Sequence, residues 1–277
     1  MAKLDNIKMV LLDLDGTLLN DEKKIGQKDI KTLKKLKSRG IVNVFATGRN
    51  LFSANMVLTN DLALDYLVFS SGAGILNWKT KEIIYNTNIL ENEIKKIEKI
   101  LIEFDVNFSI QFPIPENHKY YYHKANKLHI DFEFRNKLYE KFSFKLNNSY
   151  PYKNASQFIV ILNNMDEFKK IETKIENLKV VRATSPLDNK SIWLEIFSKE
   201  VSKANGGKFI CDLYNISQKN TLSIGNDYND IDLLNWTNFS FVVENSPEIL
   251  KKKYLNCIDN NSNPLTEVID IKMIDLY

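Results

Sequence analysis

The stretch "VLLDLDGTLLN", Val10 to Asn20, decides the fold. From Lys8 to Leu14 the chain is almost continuously apolar, the pattern of a strand buried on both faces of a parallel sheet. Asp13 and Asp15 fall at its C-terminal end, where open α/β sheets place their ligands. Residues two apart on a strand project to the same side, so the two carboxylates face one crevice wherever the strand persists to Asp15. Taken alone, an Asp-x-Asp before Gly16 and Thr17 reads as well as an acidic strand-to-turn junction. The rest of the chain decides between the two.

Outward from that strand the alternation continues. "QKDIKTLKKLKSRG" spaces Ile30, Leu33 and Leu36 for a helix and stops at Gly40, and "IVNVFATG" and "DYLVFSSGAG" are two more buried-type strands. This is a doubly wound, Rossmann-like α/β pattern with a mainly parallel sheet. After Gly74 the character changes. "GILNWKTKEIIYN" alternates like a hairpin, "LENEIKKIEKILIEF" is an amphipathic helix, and Phe104 to Tyr152 is aromatic-rich and holds all three histidines. Strand and helix alternation resumes with "KANGGKFICDLY", "TLSIG", "DIDLLNW" and "FSFVVENSPEIL". The expected organisation is an α/β core at residues 1–83 and 188–277, with an inserted α+β cap at 84–187.

Bulk properties narrow the function classes. Across 277 residues, 38 Lys and Arg balance 35 Asp and Glu to a formal +3, and the basic residues are dispersed along helical segments, which argues against a nucleic-acid partner. Two cysteines, Cys211 and Cys257, lack CxxC spacing, so neither a disulfide framework nor a structural zinc site is expected. The first apolar run is too short for a signal peptide or a membrane span, and a cytoplasmic protein is expected. Nothing in the composition speaks to oligomeric state.

Three further strings can carry chemistry. In "FATGRN", the Thr47 hydroxyl and the Gly48 amide make a phosphate clamp if a helix begins there, or merely cap that helix. Lys203, in "LEIFSKEVSKANGG", competes on composition with Lys199 and Lys208. "TLSIGNDYNDIDLL", Thr221 to Leu234, stacks two Asn-Asp pairs at a strand end, which reads as a decorated turn or as half of a metal site. "SSGAG" fails as a dinucleotide fingerprint because Asn77 stands where its third glycine belongs, and "GGKF" fails as a P-loop because Phe209 replaces the Ser or Thr. His118, His123 and His129 have no repeating ligand spacing and read as packing or surface residues.

Taken in order, "DLDGTLL", "TGR", "LEIFSKEVSK" and "GNDYND" resemble the four motifs of the haloacid dehalogenase (HAD) superfamily, and "TGR" resembles its Cof-like subgroup, whose members carry a large α/β cap. The resemblance implies that Asp13 is a nucleophile and Asp15 a general acid and base. It implies that Leu14, Thr47, Gly48 and Lys203 join them in binding phosphate, and that Arg49, Ser71 and Gly72 are candidates for substrate contact. It also implies a Mg²⁺ cofactor at Asp13, Asp15, Asn226, Asp227 and Asp230. Here the sequence departs from the family, since Asn226 stands where a ligand Asp is usual and Asp227 comes one residue late. The implied function is a phosphatase acting on a small phosphorylated metabolite, sugar phosphates first. A phosphosugar mutase and a non-catalytic phosphometabolite sensor are the alternatives.

The chemistry is coherent. An aspartate carboxyl ordinarily titrates at about 3.9, so at neutral pH it is ionised and needs no base to attack phosphorus. Its obstacle is repulsion by an anionic phosphate, which a lysine and a divalent cation relieve.

Overall fold

The computed structural model describes residues 6–147, 149–185, 187–188 and 190–272. Residues 1–5 and 273–277 of the expected core, residues 148 and 186 of the expected cap, and residue 189 lie outside the described residues. The chain divides into two compact units, Met1–Tyr85 with Ser202–Tyr277, and Asn86–Val201.

The first unit begins with β1 (Met9–Leu12), α1 (Gln27–Ser38), β2 (Val42–Ala46), α2 (Leu51–Asn55), β3 (Tyr66–Phe69), β4 (Gly74–Asn77) and β5 (Ile83–Asn86). The insert follows with β6 (Ile89–Leu90), α3 (Glu91–Glu103), β7 (Asn107–Gln111), β8 (Tyr120–His123), α4 (Ile130–Leu138), β9 (Ser143–Lys145), β10 (Asn154–Ala155), β11 (Phe158–Leu162), α5 (Met165–Glu172), β12 (Leu178–Thr184) and β13 (Ile192–Ser198). The chain then returns through α6 (Lys203–Tyr214), β14 (Thr221–Gly225), α7 (Ile231–Trp236), β15 (Phe239–Val243), α8 (Glu248–Lys251), β16 (Leu255–Cys257) and α9 (Pro264–Glu267).

The core sheet has eight strands in the order β16-β15-β14-β1-β2-β3-β4-β5. Strands β16 through β3 are parallel, β4 turns back antiparallel on β3, and β5, from the same "GILNWKTKEIIYN" string, lies beside β4. β1 lies between β14 and β2 with Leu12 beside both Ile224 and Phe45. Because these strands run the same way, the loops after β1, β2 and β14 leave the same edge of the sheet, where ligand sites form. All four residues of β1 are buried, which is why the segment contains no polar side chain. Leu33 and Leu36 of α1 are buried as their spacing requires, and Gly40, at φ +73°, ends that turn where a side chain would be strained.

In the second unit a six-stranded sheet runs β12-β13-β11-β7-β8-β9. One face packs Phe108, Ile110, Phe158, Val160, Leu194 and Ile196 against Ile94, Ile97 and Leu101 of α3 and against Phe168 and Ile171 of α5. On the other face, Phe132 of α4 packs with Ile159, Ile161 and Trp193. His123 stacks on Phe108 and His118 meets the Phe142 ring edge-on, so both have packing partners within this unit.

One expected boundary moves. The return to the core falls at Val201/Ser202 rather than at 188, because β13 is paired with β12 along its whole length and with β11 from Ile192 to Ile196. "SIWLEIF" therefore completes the inserted sheet, and cutting before it would part the edge strand β12 from its neighbour. The first crossing, at Tyr85/Asn86, lies within a few residues of the expected one.

Candidate active site

The site grows from the edge where β1, β2 and β14 end. Asp13 is held in line by its own backbone, whose N–H donates to the Ile224 carbonyl at 3.0 Å. The chain then closes into a tight loop: Thr17 and Leu19 donate to the Leu14 carbonyl at 3.2 and 2.8 Å, and Leu18 donates to the Asp13 carbonyl at 3.3 Å. Gly16 makes this possible at φ +71°, and a side chain there would collide with the Asn226 amide. The folding-back consumes carbonyls and leaves the Leu14 and Asp15 N–H groups without an acceptor among the described residues. Adjacent free amides of this kind form an anion-binding nest.

Lys203 settles the competition among lysines. Lys199 and Lys208 are exposed, whereas Lys203 is 1% exposed and its Nζ donates at 2.6 Å to Asp13 Oδ1 and at 2.6 Å to Asp230 Oδ1. It is the first residue of α6, whose N-cap Ser202 accepts from the Asn205 N–H. The following Gly206 and Gly207 explain how the helix comes so close to the sheet. A side chain on Gly206 would strike Val68, and one on Gly207 would strike Leu11 and Trp236. The glycine pair that fails as a P-loop therefore works as a packing surface that seats Lys203.

The three charges are mutually dependent. Burial first, and then the Asp230 carboxylate, push the Asp13 carboxyl up to about 7 against the pull of Lys203. Burial alone would discharge Lys203, but the two carboxylates outweigh it and hold the ammonium above its ordinary value. Asp15 is treated differently. Burial favours its neutral form, yet Arg49 forks onto it, Nε to Oδ2 at 2.6 Å and Nη2 to Oδ1 at 2.7 Å, and Lys23 adds a contact at 3.3 Å, so Asp15 stays below the usual carboxylate range. Arg49, a candidate for substrate contact on sequence, is thus bound to Asp15 and also reaches the Ser53 carbonyl at 3.1 Å.

Thr47 is 1% exposed at the end of β2, and its hydroxyl accepts from the Arg49 N–H at 3.1 Å. The turn Ser70–Gly72 is stitched onto this loop, with Ser71 N–H on the Thr47 carbonyl at 2.9 Å and Ser70 N–H on the Arg49 carbonyl at 2.8 Å. Ser71 is buried, and its Oγ has no hydrogen-bond partner among the described residues. Gly72 stands so close to the Ser202 backbone that no side chain fits. A methyl group placed on Gly48 would sit 3.5 Å from Asn229 Nδ2 and 3.6 Å from Ser71 Oγ, so these three residues converge. Asn229 was not singled out by the sequence, although it is the Asn of the second Asn-Asp pair. Lys23 left no motif at all.

The loop after β14 consumes its own carboxylates. Asp230, fully buried, accepts from the Asn226 and Asp227 N–H groups at 2.9 and 3.1 Å through Oδ2 while Oδ1 holds Lys203. Asp227 caps the turn Tyr228–Asp230 by accepting from Tyr228 N–H at 2.8 Å. The Asn226 side chain takes no hydrogen bond among the described residues. Asp13 Oδ2, the Asp15 carbonyl and Asn226 Oδ1 take no hydrogen bond among the described residues, and oxygens of these kinds suit a hard cation such as Mg²⁺ chemically. No cluster of three or more His, Cys, Asp or Glu placed to hold a metal occurs among the described residues.

Comparison with known proteins identifies the family and the fold. The profile of the haloacid dehalogenase-like hydrolases matches residues 10–268. A putative phosphatase of Buchnera aphidicola subsp. Baizongia pistaciae is 29% identical over 268 residues, covering 94% of this chain and 95% of that one. Two solved structures share the fold. A phosphatase of the haloalkanoate (HAD) superfamily from Bacteroides thetaiotaomicron superposes with a TM-score of 0.78 at 22% identity, covering 95% of this chain and 94% of its own. A HAD subclass IIB sugar phosphatase does so with a TM-score of 0.73 at 19% identity, covering 96% and 99%. The chain belongs to the haloacid dehalogenase-like hydrolases, in the Cof-like group that carries a large inserted α/β unit.

Proposed function

We propose that this hydrolase is a Mg²⁺-dependent phosphatase that removes phosphate from a small phosphorylated metabolite through a phospho-Asp13 intermediate. One observation carries the reading: a buried lysine bridges Asp13 and Asp230 beside two free amides, at the edge where three parallel strands end. That arrangement offers an anion both a nucleophile and positive charge. The sugar phosphatase that shares the fold supports sugar phosphates as the first substrate class to test.

Asp13 attacks phosphorus as the ester oxygen departs, and Asp15 gives that oxygen its proton. A water then attacks the phospho-Asp13 while Asp15 takes the water's proton, and inorganic phosphate leaves. Lys203, the Leu14 and Asp15 amides, Gly48, Thr47, Ser71 and Asn229 would hold the phosphoryl oxygens. Because Arg49 and Lys23 keep Asp15 ionised, proton delivery requires their grip to loosen as the ester enters. Asp13 Oδ2, the Asp15 carbonyl and Asn226 would hold Mg²⁺, while Asp227 and Asp230 add negative charge and shape the loop. The cation supplies charge that offsets the repulsion between carboxylate and phosphate.

Pure protein with Mg²⁺ is expected to release phosphate from at least one member of a panel of sugar phosphates, nucleotides and cofactor phosphates, and Asp13→Asn to abolish the release. Silence across the panel, or an undiminished Asp13→Asn protein, overturns the proposal. An isomeric phosphate ester appearing in place of inorganic phosphate would identify a mutase.

A further inference from the structure

The nucleophile loop is completed from outside by a segment none of the motifs includes. Inside the loop, the Asp13 and Leu14 carbonyls are taken by Leu18, and by Thr17 and Leu19. The Gly16 and Leu19 carbonyls are taken by asparagine side chains from beyond β15. Asn245 Nδ2 donates to the Gly16 carbonyl at 2.8 Å, and Asn260 Nδ2 donates to the Leu19 carbonyl at 3.1 Å and to Asp21 Oδ1 at 3.1 Å. The two asparagines are joined, since the Asn260 N–H donates to Asn245 Oδ1 at 3.2 Å. Asn261 extends the clamp to Asp21, accepting from its N–H at 3.1 Å and donating to its Oδ2 at 3.2 Å. Asn260 is only 7% exposed, so its amide is a buried group with all of its donors committed.

We infer that Asn245 and Asn260 are positioning residues for the reaction: they hold the Gly16 and Leu19 peptides and thereby aim the Leu14 and Asp15 amides and the two carboxylates. The inference rests on the phosphatase reading of the same loop. Each peptide plane is shared between the carbonyl of one residue and the amide of the next. Fixing the carbonyls at 13, 14, 16 and 19 therefore removes most of the freedom by which the amides between them could turn from a bound anion. Asparagine suits the task because a neutral amide donates to a carbonyl and accepts from an N–H without adding charge beside a phosphate. Gly16 is gripped from two sides, with the Asn226 amide against its Cα and Asn245 on its carbonyl. The clamp therefore links the loops after β1, β14 and β15.

The test uses the full chain with Mg²⁺ and the best phosphate ester from the panel. Asn245→Ala and Asn260→Ala are each expected to lower kcat about tenfold or more with KM within about threefold, because misplacement acts on the reacting geometry more than on ground-state binding. Their double variant should lose far less than the product of the single losses, because one broken link already frees the loop. Hydrogen exchange followed by mass spectrometry should show faster exchange in peptides covering residues 13–21 and unchanged exchange in β2 and β3. Asn256→Ala, which removes a comparable asparagine bond to the Lys251 carbonyl, should leave both readouts unchanged. Unchanged exchange at 13–21, or unchanged kcat in both single variants, overturns the inference. So does a kcat loss accompanied by faster exchange throughout the core, which would mark a merely destabilising change. If the wild-type protein releases no phosphate, the proposed function fails, while the exchange measurement still decides whether the asparagines hold the loop.

Discussion

The loops after β1 and β14 are built from the same residue types, Asp, Asn and Gly, and use them in opposite ways. After β1 the backbone folds onto its own carbonyls and leaves the Leu14 and Asp15 amides, and one oxygen of Asp13, without a hydrogen-bond partner among the described residues. After β14 the acidic side chains fold onto the backbone: Asp230 takes two N–H groups and Lys203, and Asp227 caps a turn. On the proposed function the first loop reacts and the second supports it, with Asn226 the exception because its side chain takes no hydrogen bond among the described residues. An acidic motif therefore does not announce which of its carboxylates react; the distribution of backbone donors does.

Substitutions can break that contrast. The largest effect is expected at Asp13, where Asp13→Asn keeps the shape and removes the nucleophile, lowering phosphate release by at least about 10³-fold in a steady-state assay. Next comes Lys203→Met, which leaves Asp13 and Asp230 facing each other without a cation. Removing one partner of a buried pair costs about 3–5 kcal/mol, and the loss should appear both in chemical denaturation and as a kcat lowered about 100-fold.

The pH dependence sharpens the contrast. Asp13 must be ionised to attack, and its carboxyl is pushed up to about 7, so kcat/KM at low Mg²⁺ should fall about tenfold per pH unit below that point. Saturating Mg²⁺ favours the ionised carboxylate and should move the limb to lower pH. A limb that ignores Mg²⁺ would separate the cation from Asp13. Asn226→Asp restores a charged donor at the uncommitted position and should tighten Mg²⁺ about tenfold by calorimetry. The smallest effect belongs to Asp227→Ser, which keeps a capping oxygen, so its Tm should shift by only a few degrees and its kcat by less than about threefold. If Asp227→Ser instead abolished Mg²⁺ binding, the metal would sit one residue later than proposed.

The buried strands, the helix stop at Gly40 and the order of the motifs were legible because each depends on nearby residues: apolar runs, caps and glycine. The end of the insert was not, since "SIWLEIF" is a buried strand by pattern and its partners, β11 and β12, are identified only by pairing. Arg49 was visible as a residue of interest, but its grip on Asp15 depends on the distance between two loops that are adjacent only in the sheet. Asn245 and Asn260 carried no local signal, because an asparagine after a strand reads as turn chemistry whether or not its amide reaches a carbonyl more than two hundred residues away.

By itself the sequence determined a parallel α/β core with an insert, two carboxylates at the end of its first strand, and a late acidic motif carrying Asn in place of Asp. The core, the insert and the two carboxylates follow from periodicity and composition, which act over one or two turns of chain, whereas the Asn in place of Asp is read from the resemblance to the family motif. Only the tertiary structure decided which lysine is buried between Asp13 and Asp230, which glycines exist for close packing, and which acidic oxygens remain open. Those outcomes depend on which polar groups meet once water is excluded, and a buried donor takes whatever acceptor the fold brings to it.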